Sequence, residues 1–333
     1  MIKTYEIDVA VTRGGGIESE HRVHAAVVGD GDELLGTARD ADAFTYWRSC
    51  AKPFQVLPFL GSGGFDALGW GEEQLAISCA SHGGEPEHVA IVERMLRDLG
   101  LEEGDLACGP HDPSSQRGAK IVRESGDRPT RLHNNCSGKH SAMLAMARRK
   151  GWATRGYEGR EHNVQRAILH EISLWTGVPC GKITQAVDGC GVVVFGMTLE
   201  RMARAYSRFA VAAARGEEYP LRVVTAMSNN PFLVGGTDRF DSALIAETNG
   251  RVVSKVGAEG VHCALLPERG IGIAIKVEDG AQRAQVPALL RLLQEIDALP
   301  DPLPARLAEL THKPVKNTRG ESVGEVTMRA DVA

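Results

Sequence analysis

Residues 132–140 read "LHNNCSGKH" and bring a thiol, an amine and an imidazole together at a predicted helix start. The run that follows, "SAMLAMARRKG", has helical character and ends in basic residues before Gly151, which is typical of a helix C-terminus. Either Asn135 or Ser137 can serve as the N-cap. Cys136 is therefore predicted at a helix N-terminus, where exposed backbone N–H groups and the helix dipole lower the pKa of a thiol.

The stretch "VDGCG" at residues 187–191 supplies a second thiol, Cys190, close to Asp188 and between glycines that allow a tight turn. Two thiolates and a third donor can hold zinc. The spacing between Cys136 and Cys190 fits no short zinc-finger pattern, so a second interpretation stays open: two separate cysteines buried in the core. The two stretches allow a zinc site but do not require one.

A third stretch, "RSCAKP" at residues 48–53, contains Ser49 and Lys52 in the spacing S-x-x-K. If this stretch opens a helix, one turn brings the lysine amine beside the serine hydroxyl. A desolvated, neutral lysine can then accept the hydroxyl proton as a general base. The S-x-x-K pattern also occurs by chance, so alone it indicates a structured junction as readily as a nucleophile.

Ser81 and His82 stand in a fourth stretch, "SCASHGGE" at residues 78–85, between an apolar run and a capped helix. Site residues gather at such ends of elements, and the two glycines allow a ligand to approach the backbone. An ordinary turn with a serine N-cap is the alternative interpretation. The sequence has no G-x-S-x-G, G-x-G-x-x-G or P-loop pattern, which disfavours an α/β-hydrolase, a dinucleotide-binding fold and a P-loop enzyme.

The composition suits a globular protein with an ample core, because 43% of the 333 residues are hydrophobic and the formal net charge is −5. Basic residues are scattered among acidic ones, so nucleic acid is not an expected partner. No apolar run is long enough to span a membrane, and no signal peptide is expected. Seven cysteines without paired spacing indicate reduced thiols, and we expect a cytoplasmic protein.

Strand patterns lie at both ends of the chain and helix patterns lie between them. The predicted strands cover residues 6–13, 21–29, 250–257 and 271–280, and the predicted helices cover residues 85–100, 163–177, 198–216 and 285–299. We expect a mixed α/β fold in which a central sheet, formed by both terminal regions, is flanked by helices. Residues 1–333 are expected to form a single catalytic domain with a helical subdomain within about 85–230.

Taken in order along the chain, these stretches resemble the Rhizobium-type L-asparaginases, the asparaginase II family, which is related by fold to serine β-lactamases and glutaminases. The resemblance covers nearly the whole chain and rests on the motifs "RGGGIESEHRVHAAVV" (13–28), "RSCAKP" (48–53), "CASH" (79–82), "CGPHDP" (108–113), "NCSGKH" (135–140), "DGCG" (188–191), "SKVGAEG" (254–260) and "KVEDG" (276–280). So many matches in order do not arise by chance. The resemblance implies a β-lactamase/glutaminase-like fold.

The resemblance also implies an amidohydrolase, a homodimer that converts its small-molecule substrate L-asparagine to L-aspartate and ammonia. Carried over onto matching positions, Ser49 is the nucleophile and Lys52 is its base. Ser81 and Lys255 form a second Ser/Lys pair that supports the first. Because Lys52 must be neutral to act as a base and Lys139 must be neutral to bind a metal, we expect activity to rise toward alkaline pH.

The same resemblance implies a Zn²⁺ cofactor whose ligands are Cys136, Lys139 and Cys190, with Asp188 beside them. A lysine ligand must be neutral, and burial together with the charge of the metal can lower its pKa from ~10.4 far enough. Three protein ligands leave a fourth position for water or substrate. The candidates for holding the amino-acid head group are Arg48, Asp188, Arg13, Glu18 and His21, and ordinary ion pairs are the alternative for the charged ones.

Two functions of other classes would use part of the same residues. A β-lactam-recognising serine acylase would also use Ser49 and Lys52, but the sequence has no S-D-N or K-T-G element. A non-catalytic zinc-stabilised binding protein would keep Cys136 and Cys190 without needing the serines. A glutaminase-type amidohydrolase stays open as well, because one methylene in a pocket changes selectivity by only about 1–3 kcal/mol.

The chain departs from the family pattern at two places. Where rhizobial members carry further cysteines, it has Phe240 and Asp241 within "DRFDS" (238–242), and His133 just before "NCSGKH". Neither departure touches a predicted metal ligand. Any site that uses those extra thiols is put in doubt.

Overall fold

The computed structural model describes residues 2–332. Helices and strands are interspersed along the chain. The strands are β1 (Lys3–Thr4), β2 (Val9–Arg13), β3 (Gly16–His21), β4 (Val23–Val28), β5 (Leu34–Ala38), β6 (Phe44–Tyr46), β7 (Thr184–Val187), β8 (Val193–Thr198), β9 (Val253–Val256), β10 (Val261–Leu266), β11 (Ile271–Val277), β12 (Lys313–Lys316) and β13 (Ser322–Met328). The helices are α1 (Lys52–Gln55), α2 (Leu57–Leu60), α3 (Gly64–Ala67), α4 (Glu72–Cys79), α5 (Pro86–Asp98), α6 (Gln116–Ser125), α7 (Ser137–Arg149), α8 (Asn163–Thr176), α9 (Leu199–Ala214), α10 (Glu218–Asn229), α11 (Pro231–Val234), α12 (Phe240–Glu247), α13 (Gln282–Glu295) and α14 (Ala305–Ala308).

The central sheet has six strands in the order β1-β5-β4-β11-β10-β9. Strands β1 and β5 run parallel, and the other neighbours are antiparallel. The sheet therefore combines strands from residues 3–38 with strands from residues 253–277. The pairing of β10 with β9 sets Cys263 opposite Lys255, which fixes the position of a predicted site lysine.

Helices cover both faces of this sheet, and the predicted mixed α/β class is confirmed. Side chains alternate along β4, so that Ala26 joins the core beneath α9 while Ala25 joins the core beneath α13. On the α9 side the backbones approach so closely that a Cβ at Gly272 would lie 2.1 Å from the carbonyl oxygen of Ala203. A residue without a Cβ is therefore required at position 272.

A helical region that includes α4, α5 and α7 to α10 lies in sequence between the two groups of central strands. Two smaller sheets, β12-β13-β2-β3 and β6-β8-β7, complete the fold. The start of α7 packs tightly on α4, because a Cβ at Gly138 would lie 2.3 Å from the carbonyl oxygen of Ile77. Among the described residues, no helix has the length and apolar character that a bilayer span needs.

The helix predictions agree with the structure within a few residues, whereas the strands are shorter than predicted. The predicted strand at residues 6–13 corresponds to β2, which begins only at Val9. Asp8 is outside β2, and its carboxylate accepts a hydrogen bond from the backbone of Val23 and pairs with Arg39. Asp8 thus pairs with residues of distant segments and lies outside the ladder of β2.

The predicted N-cap of α7 is wrong, although the helix begins where the motif indicated. Ser137 is the first helical residue and Cys136 occupies the N-cap position without a side-chain capping bond. Asn134 lies one residue before the predicted candidates, and its Oδ1 accepts a hydrogen bond of 2.9 Å from the backbone N–H of Cys136. The chain thus reaches α7 through an asparagine turn that holds Cys136 at the helix start.

Candidate active site

Ser81 lies between two buried lysines that come from distant parts of the chain. Its Oγ is 2.8 Å from Nζ of Lys255 on β9 and 3.2 Å from Nζ of Lys52 at the start of α1. Ser81 follows the C-terminal end of α4, and its backbone N–H donates to the carbonyl oxygen of Val234. Together with Ser49, these three residues are named the Ser/Lys centre.

Three acceptors surround the amine of Lys52. Besides contacting Ser81, Nζ donates to the carbonyl oxygens of Ala80 at 2.5 Å and Asn135 at 3.1 Å. An ammonium group has three N–H donors, so each donor has a partner here. An ammonium group at Lys52 would therefore have a hydrogen-bond partner for each of its donors.

Lys255 has a different environment. Its Nζ donates to Ser81 and to the carbonyl oxygen of Val256 at 2.8 Å, and the carboxylate of Asp241 lies 3.9 Å away. Burial lowers the pKa of Lys255 to about 8, Asp241 opposes this shift, and the charge of Lys52 adds to it. A free amine is therefore available at Lys255 in mildly alkaline solution.

Asp241 is a residue of this site that the motif analysis missed. Its Oδ1 accepts hydrogen bonds from Ser254 Oγ at 2.6 Å and from His262 at 2.8 Å, and its Oδ2 accepts one from the backbone of Val256 at 2.8 Å. Burial raises the pKa of Asp241, but His262, Lys255 and the hydrogen bonds outweigh burial and hold it well below its usual value. The sequence signal that could have indicated Asp241 was the departure from the family pattern in "DRFDS".

Ser49 lies in the 3₁₀ turn Arg48–Ala51, directly before α1. It is half-buried, whereas Ser81 is 3% exposed, so Ser49 is the more accessible serine. Arg48 has a φ of 51°, a left-handed conformation that is strained for a residue other than glycine. Within residues 2–332 no hydrogen bond joins Ser49 Oγ to Lys52 Nζ, which is directed to Ser81 instead. The Ser49–Lys52 assignment therefore stays a prediction.

A second buried cluster contains Cys136, Lys139 and Cys190 and is named the Cys/Lys cluster. The first two residues belong to the start of α7, and Cys190 lies in the turn between β7 and β8. Nζ of Lys139 is 3.1 Å from Sγ of Cys190, which is also hydrogen-bonded to the Cys136 thiol. Asp188 lies 3.8 Å from the same sulfur and pairs with Nε of Arg48 at 2.7 Å. The Arg48–Asp188 pair thus links the cluster to the turn that carries Ser49.

Cys190, and not Cys136, is the cysteine whose pKa favours the thiolate. The hydrogen bond from Cys136 lowers the pKa of Cys190 to about 5, burial opposes this shift, and Lys139 adds to it. The same hydrogen bond and burial raise the pKa of Cys136 to about 12. The expectation that the helix N-terminus would make Cys136 the thiolate is wrong, because these two effects outweigh the dipole. Burial disfavours the ammonium of Lys139, but the two sulfurs outweigh burial and raise its pKa.

The Cys/Lys cluster fits a zinc ion in the chemistry of its donors. Two sulfur atoms and one amine nitrogen converge, and zinc accepts both donor types. Across residues 2–332, no three His, Cys, Asp or Glu side chains are grouped as metal ligands, so the third donor would be the amine of Lys139. Binding would require Cys136 and Lys139 to release protons.

Arg13 and His21 lie elsewhere. Arg13 is exposed and pairs with Glu18 at 2.9 Å, while His21 contacts Asp279 at 2.7 Å and Arg283 at 2.9 Å. In the described part of the chain, neither makes a hydrogen bond or ion pair with the Ser/Lys centre or the Cys/Lys cluster. Their contact with substrate gains no support from the structure and stays a prediction.

A mixed α/β fold that holds a serine between buried lysine amines is typical of hydrolases that activate serine with lysine. The sequence profile of L-asparaginase II matches residues 9–328, and the chain belongs to this family of amidohydrolases. The predicted family and enzyme class are confirmed. No curated protein sequence matches the chain.

Several solved structures are similar to this one in part. The protein named Mglu, in its native form, is 16% identical over 84% of this chain and 65% of its own length, with a TM-score of 0.48. A Bacillus glutaminase is 14% identical over 83% and 91%, with a TM-score of 0.36. A β-lactamase from Mycobacterium bovis is 12% identical over 82% and 94%, with a TM-score of 0.35. The chain thus spans less than two thirds of the length of Mglu, and its family assignment rests on the sequence match.

Proposed function

We propose that the protein is an L-asparaginase that hydrolyses L-asparagine to L-aspartate and ammonia. The observation that carries the proposal is the position of Ser81 Oγ, 2.8 Å from the amine of Lys255 and 3.2 Å from that of Lys52. A buried serine between two amines can pass protons from one to the other. Membership of the L-asparaginase II family supports the choice of substrate.

In the proposed first step Ser49 is the nucleophile, and the second Ser/Lys pair prepares its base. Lys52 gives a proton to Ser81 while Ser81 gives its own proton to the free amine of Lys255. Lys52 is then uncharged and accepts the proton of Ser49 as Oγ attacks the side-chain amide carbon. The accessibility of Ser49 and the strained backbone of Arg48 support this assignment.

Ammonia leaves in the second step. The C–N bond breaks and the nitrogen takes a proton from Lys52, while backbone N–H groups near the start of the helix hold the oxyanion. Water then attacks the aspartyl ester and gives a proton to Lys52, which returns it to the oxygen of Ser49 as aspartate departs. Finally, the proton on Lys255 goes back through Ser81 to Lys52, and the resting centre is restored.

The Arg48–Asp188 pair is the proposed anchor for the amino-acid head group. Its guanidinium suits an α-carboxylate and its carboxylate suits an α-ammonium, and it lies beside the turn that carries Ser49. Cys136, Lys139 and Cys190 would hold zinc. A bound zinc would supply positive charge for an acidic group of the substrate.

The proposed location is the cytoplasm and the proposed assembly is a homodimer. The seven cysteines are free thiols in the described residues, which supports a reducing compartment. The dimer is proposed from the family resemblance, and light scattering after size-exclusion chromatography measures it directly.

Ammonia release from L-asparagine by the purified protein, run beside L-glutamine, tests the proposed function. We expect release from L-asparagine, and Ser49→Ala should lower kcat by about 10³-fold or more. The control Ser125→Ala changes an exposed serine at the end of α6 and should keep full turnover. Release from L-glutamine alone would indicate a glutaminase, and release from neither amide would contradict the proposal. Full turnover by Ser49→Ala would move the nucleophile to Ser81.

A further inference from the structure

In the proposed first step the amine of Lys255 gains a proton, and a buried carboxylate lies close to this amine. Asp241 on α12 is 2% exposed, and its Oδ2 is 3.9 Å from Nζ of Lys255. We propose that Asp241 is a positioning residue that stabilises the ammonium formed when Lys255 takes the proton of Ser81, so that Ser81, Lys255 and Asp241 act as a triad. The inference rests on the proposed Ser/Lys mechanism.

The contacts of Asp241 are those of an anion held in a fixed position. Ser254 Oγ, the ring of His262 and the backbone N–H of Val256 all reach its oxygens within 2.8 Å. A protonated carboxyl would have to direct its own hydrogen at one of these donors or at Lys255. The donors come from β9 and β10 of the central sheet, so the carboxylate is fixed to the same rigid element as the lysine.

His262 holds the carboxylate through a hydrogen bond from its ring. Its Nε2 faces Asp241 at 2.8 Å, whereas Nδ1 is buried and has no hydrogen-bond partner in residues 2–332. A second N–H on this ring would be buried without an acceptor, which costs more than leaving a lone pair there. An N–H on Nε2 directed at Asp241 therefore fits the site, and it holds the carboxylate in place beside Lys255.

In the described part of the chain, the other groups that act on Lys255 are a second lysine and several thiols. The titratable groups that act on it from the neighbouring elements are Asp241, Lys52, Cys50, Cys79, Cys136 and Cys263, with His262 acting through Asp241. Burial raises the pKa of Cys79 to about 12, and that of Cys136 is raised to the same value. The thiols of Cys79 and Cys136 are therefore neutral, and that of Cys50 donates its hydrogen to the carbonyl oxygen of Lys255. Asp241 is the carboxylate that balances the proton arriving on Lys255.

Lys52 differs from Lys255 in this respect. Its amine contacts two carbonyl oxygens and Ser81, and no carboxylate of the described residues forms an ion pair with it. A proton that passes from Lys52 through Ser81 thus moves from neutral acceptors toward a fixed anion. The direction of the transfer follows from where the carboxylate lies.

The pH dependence of asparagine hydrolysis by Asp241→Asn tests the inference. Lys255 must begin as a free amine, so kcat/KM rises with pH through its titration. Removing a nearby anion makes the ammonium less stable and should shift this rise to lower pH by about one unit or more. The plateau of kcat should fall while KM changes by less than about twofold. A residue with a merely structural effect would lower activity without moving the pH profile.

Two further variants separate charge from packing. Ser254→Ala removes one hydrogen bond to the carboxylate and keeps its charge, so the midpoint of the rise should stay within about 0.3 pH units of the wild type. Asp238→Asn removes an exposed carboxylate shortly before α12 and should leave the profile unchanged. If Asp241→Asn does not fold, Asp241→Ser removes the charge and leaves room for water, and the same downward shift is expected.

A second readout does not need activity. Lysine labelled with ¹³C at Cε reports the titration of Lys255 by NMR, with Lys255→Met used to assign the signal. The midpoint should fall by about one unit or more in Asp241→Asn, even if the protein hydrolyses neither asparagine nor glutamine. In that case the proposed function fails and the effect of Asp241 on the amine is still decided. An unchanged NMR midpoint, or an equal shift in Ser254→Ala, would overturn the inference.

Discussion

The Ser/Lys centre and the Cys/Lys cluster each bury a lysine beside an anion, yet the two lysines shift in opposite directions. Lys255 faces one carboxylate at 3.9 Å and a second lysine, and its pKa is lowered to about 8. Lys139 is 3.1 Å from the sulfur of Cys190, with another sulfur and Asp188 nearby, and its pKa is raised. Burial is nearly complete in both places. The distance and number of opposite charges therefore decide which lysine becomes a free amine.

The difference assigns separate chemistry to the two regions. A lysine that loses its proton in mildly alkaline solution suits proton transfer. A lysine that stays charged among thiols becomes a ligand only when a metal displaces its proton. If the anions of the two regions were exchanged, the pKa of each lysine would change. A substitution of one partner at a time therefore tests each region separately.

The largest expected effect comes from removing the free amine. Lys255→Met should lower kcat for L-asparagine by about 10²–10⁴-fold, because general-base catalysis contributes that much. Lys120→Met, which replaces an exposed lysine on α6, is the control and should stay within about twofold. Steady-state ammonia release measures both variants. Retained turnover in Lys255→Met would show that Lys52 acts without the second pair.

A smaller effect is expected on metal binding. Cys190→Ser removes the sulfur that carries thiolate character and should weaken zinc binding by about tenfold or more. Cys180→Ser is the control. It replaces a half-buried thiol whose one hydrogen-bond partner within residues 2–332 is the carbonyl oxygen of Leu169. This variant should bind zinc like the wild type. Competition with a chromogenic chelator gives both affinities. Equal zinc affinity in the two variants would remove Cys190 from the proposed ligands.

The smallest effect concerns the residue that links the two regions. Arg48→Gln breaks the pair with Asp188 and should raise KM for L-asparagine by about tenfold, since a hydrogen bond between charged groups contributes about 1.5–3 kcal/mol. Arg13→Gln removes an exposed guanidinium of the same kind and should change KM by less than about twofold. A larger rise in Arg13→Gln than in Arg48→Gln would move the head-group site to the four-stranded sheet.

Periodicity and motif order predicted much of this molecule. The helix patterns mark α5, α8, α9 and α13 within a few residues, because each has an apolar stripe that packs on a sheet or on another helix. Strand ends were predicted less well, since a carboxylate such as Asp8 can pair outside the ladder. Local patterns therefore indicate elements more reliably than their ends.

The sequence alone did not predict which site residues contact each other. The S-x-x-K spacing indicated Ser49 with Lys52, but the amine of Lys52 is directed to Ser81, which a distant segment supplies. Asp241 approaches Lys255 only because α12 packs beside β9. Contacts of this kind depend on tertiary packing, and no short-range spacing encodes them.

The peptide unit between Asn135 and Cys136 is shared by the two regions. The carbonyl oxygen that accepts a hydrogen bond from Lys52 belongs to Asn135, and the nitrogen of the same peptide unit belongs to Cys136. Because a peptide unit is planar and rigid, a rotation that adjusts Cys136 to a bound ion also tilts the acceptor that Lys52 holds. An ion bound in the Cys/Lys cluster would therefore act on the proton relay through this peptide unit as well as through the Arg48–Asp188 pair.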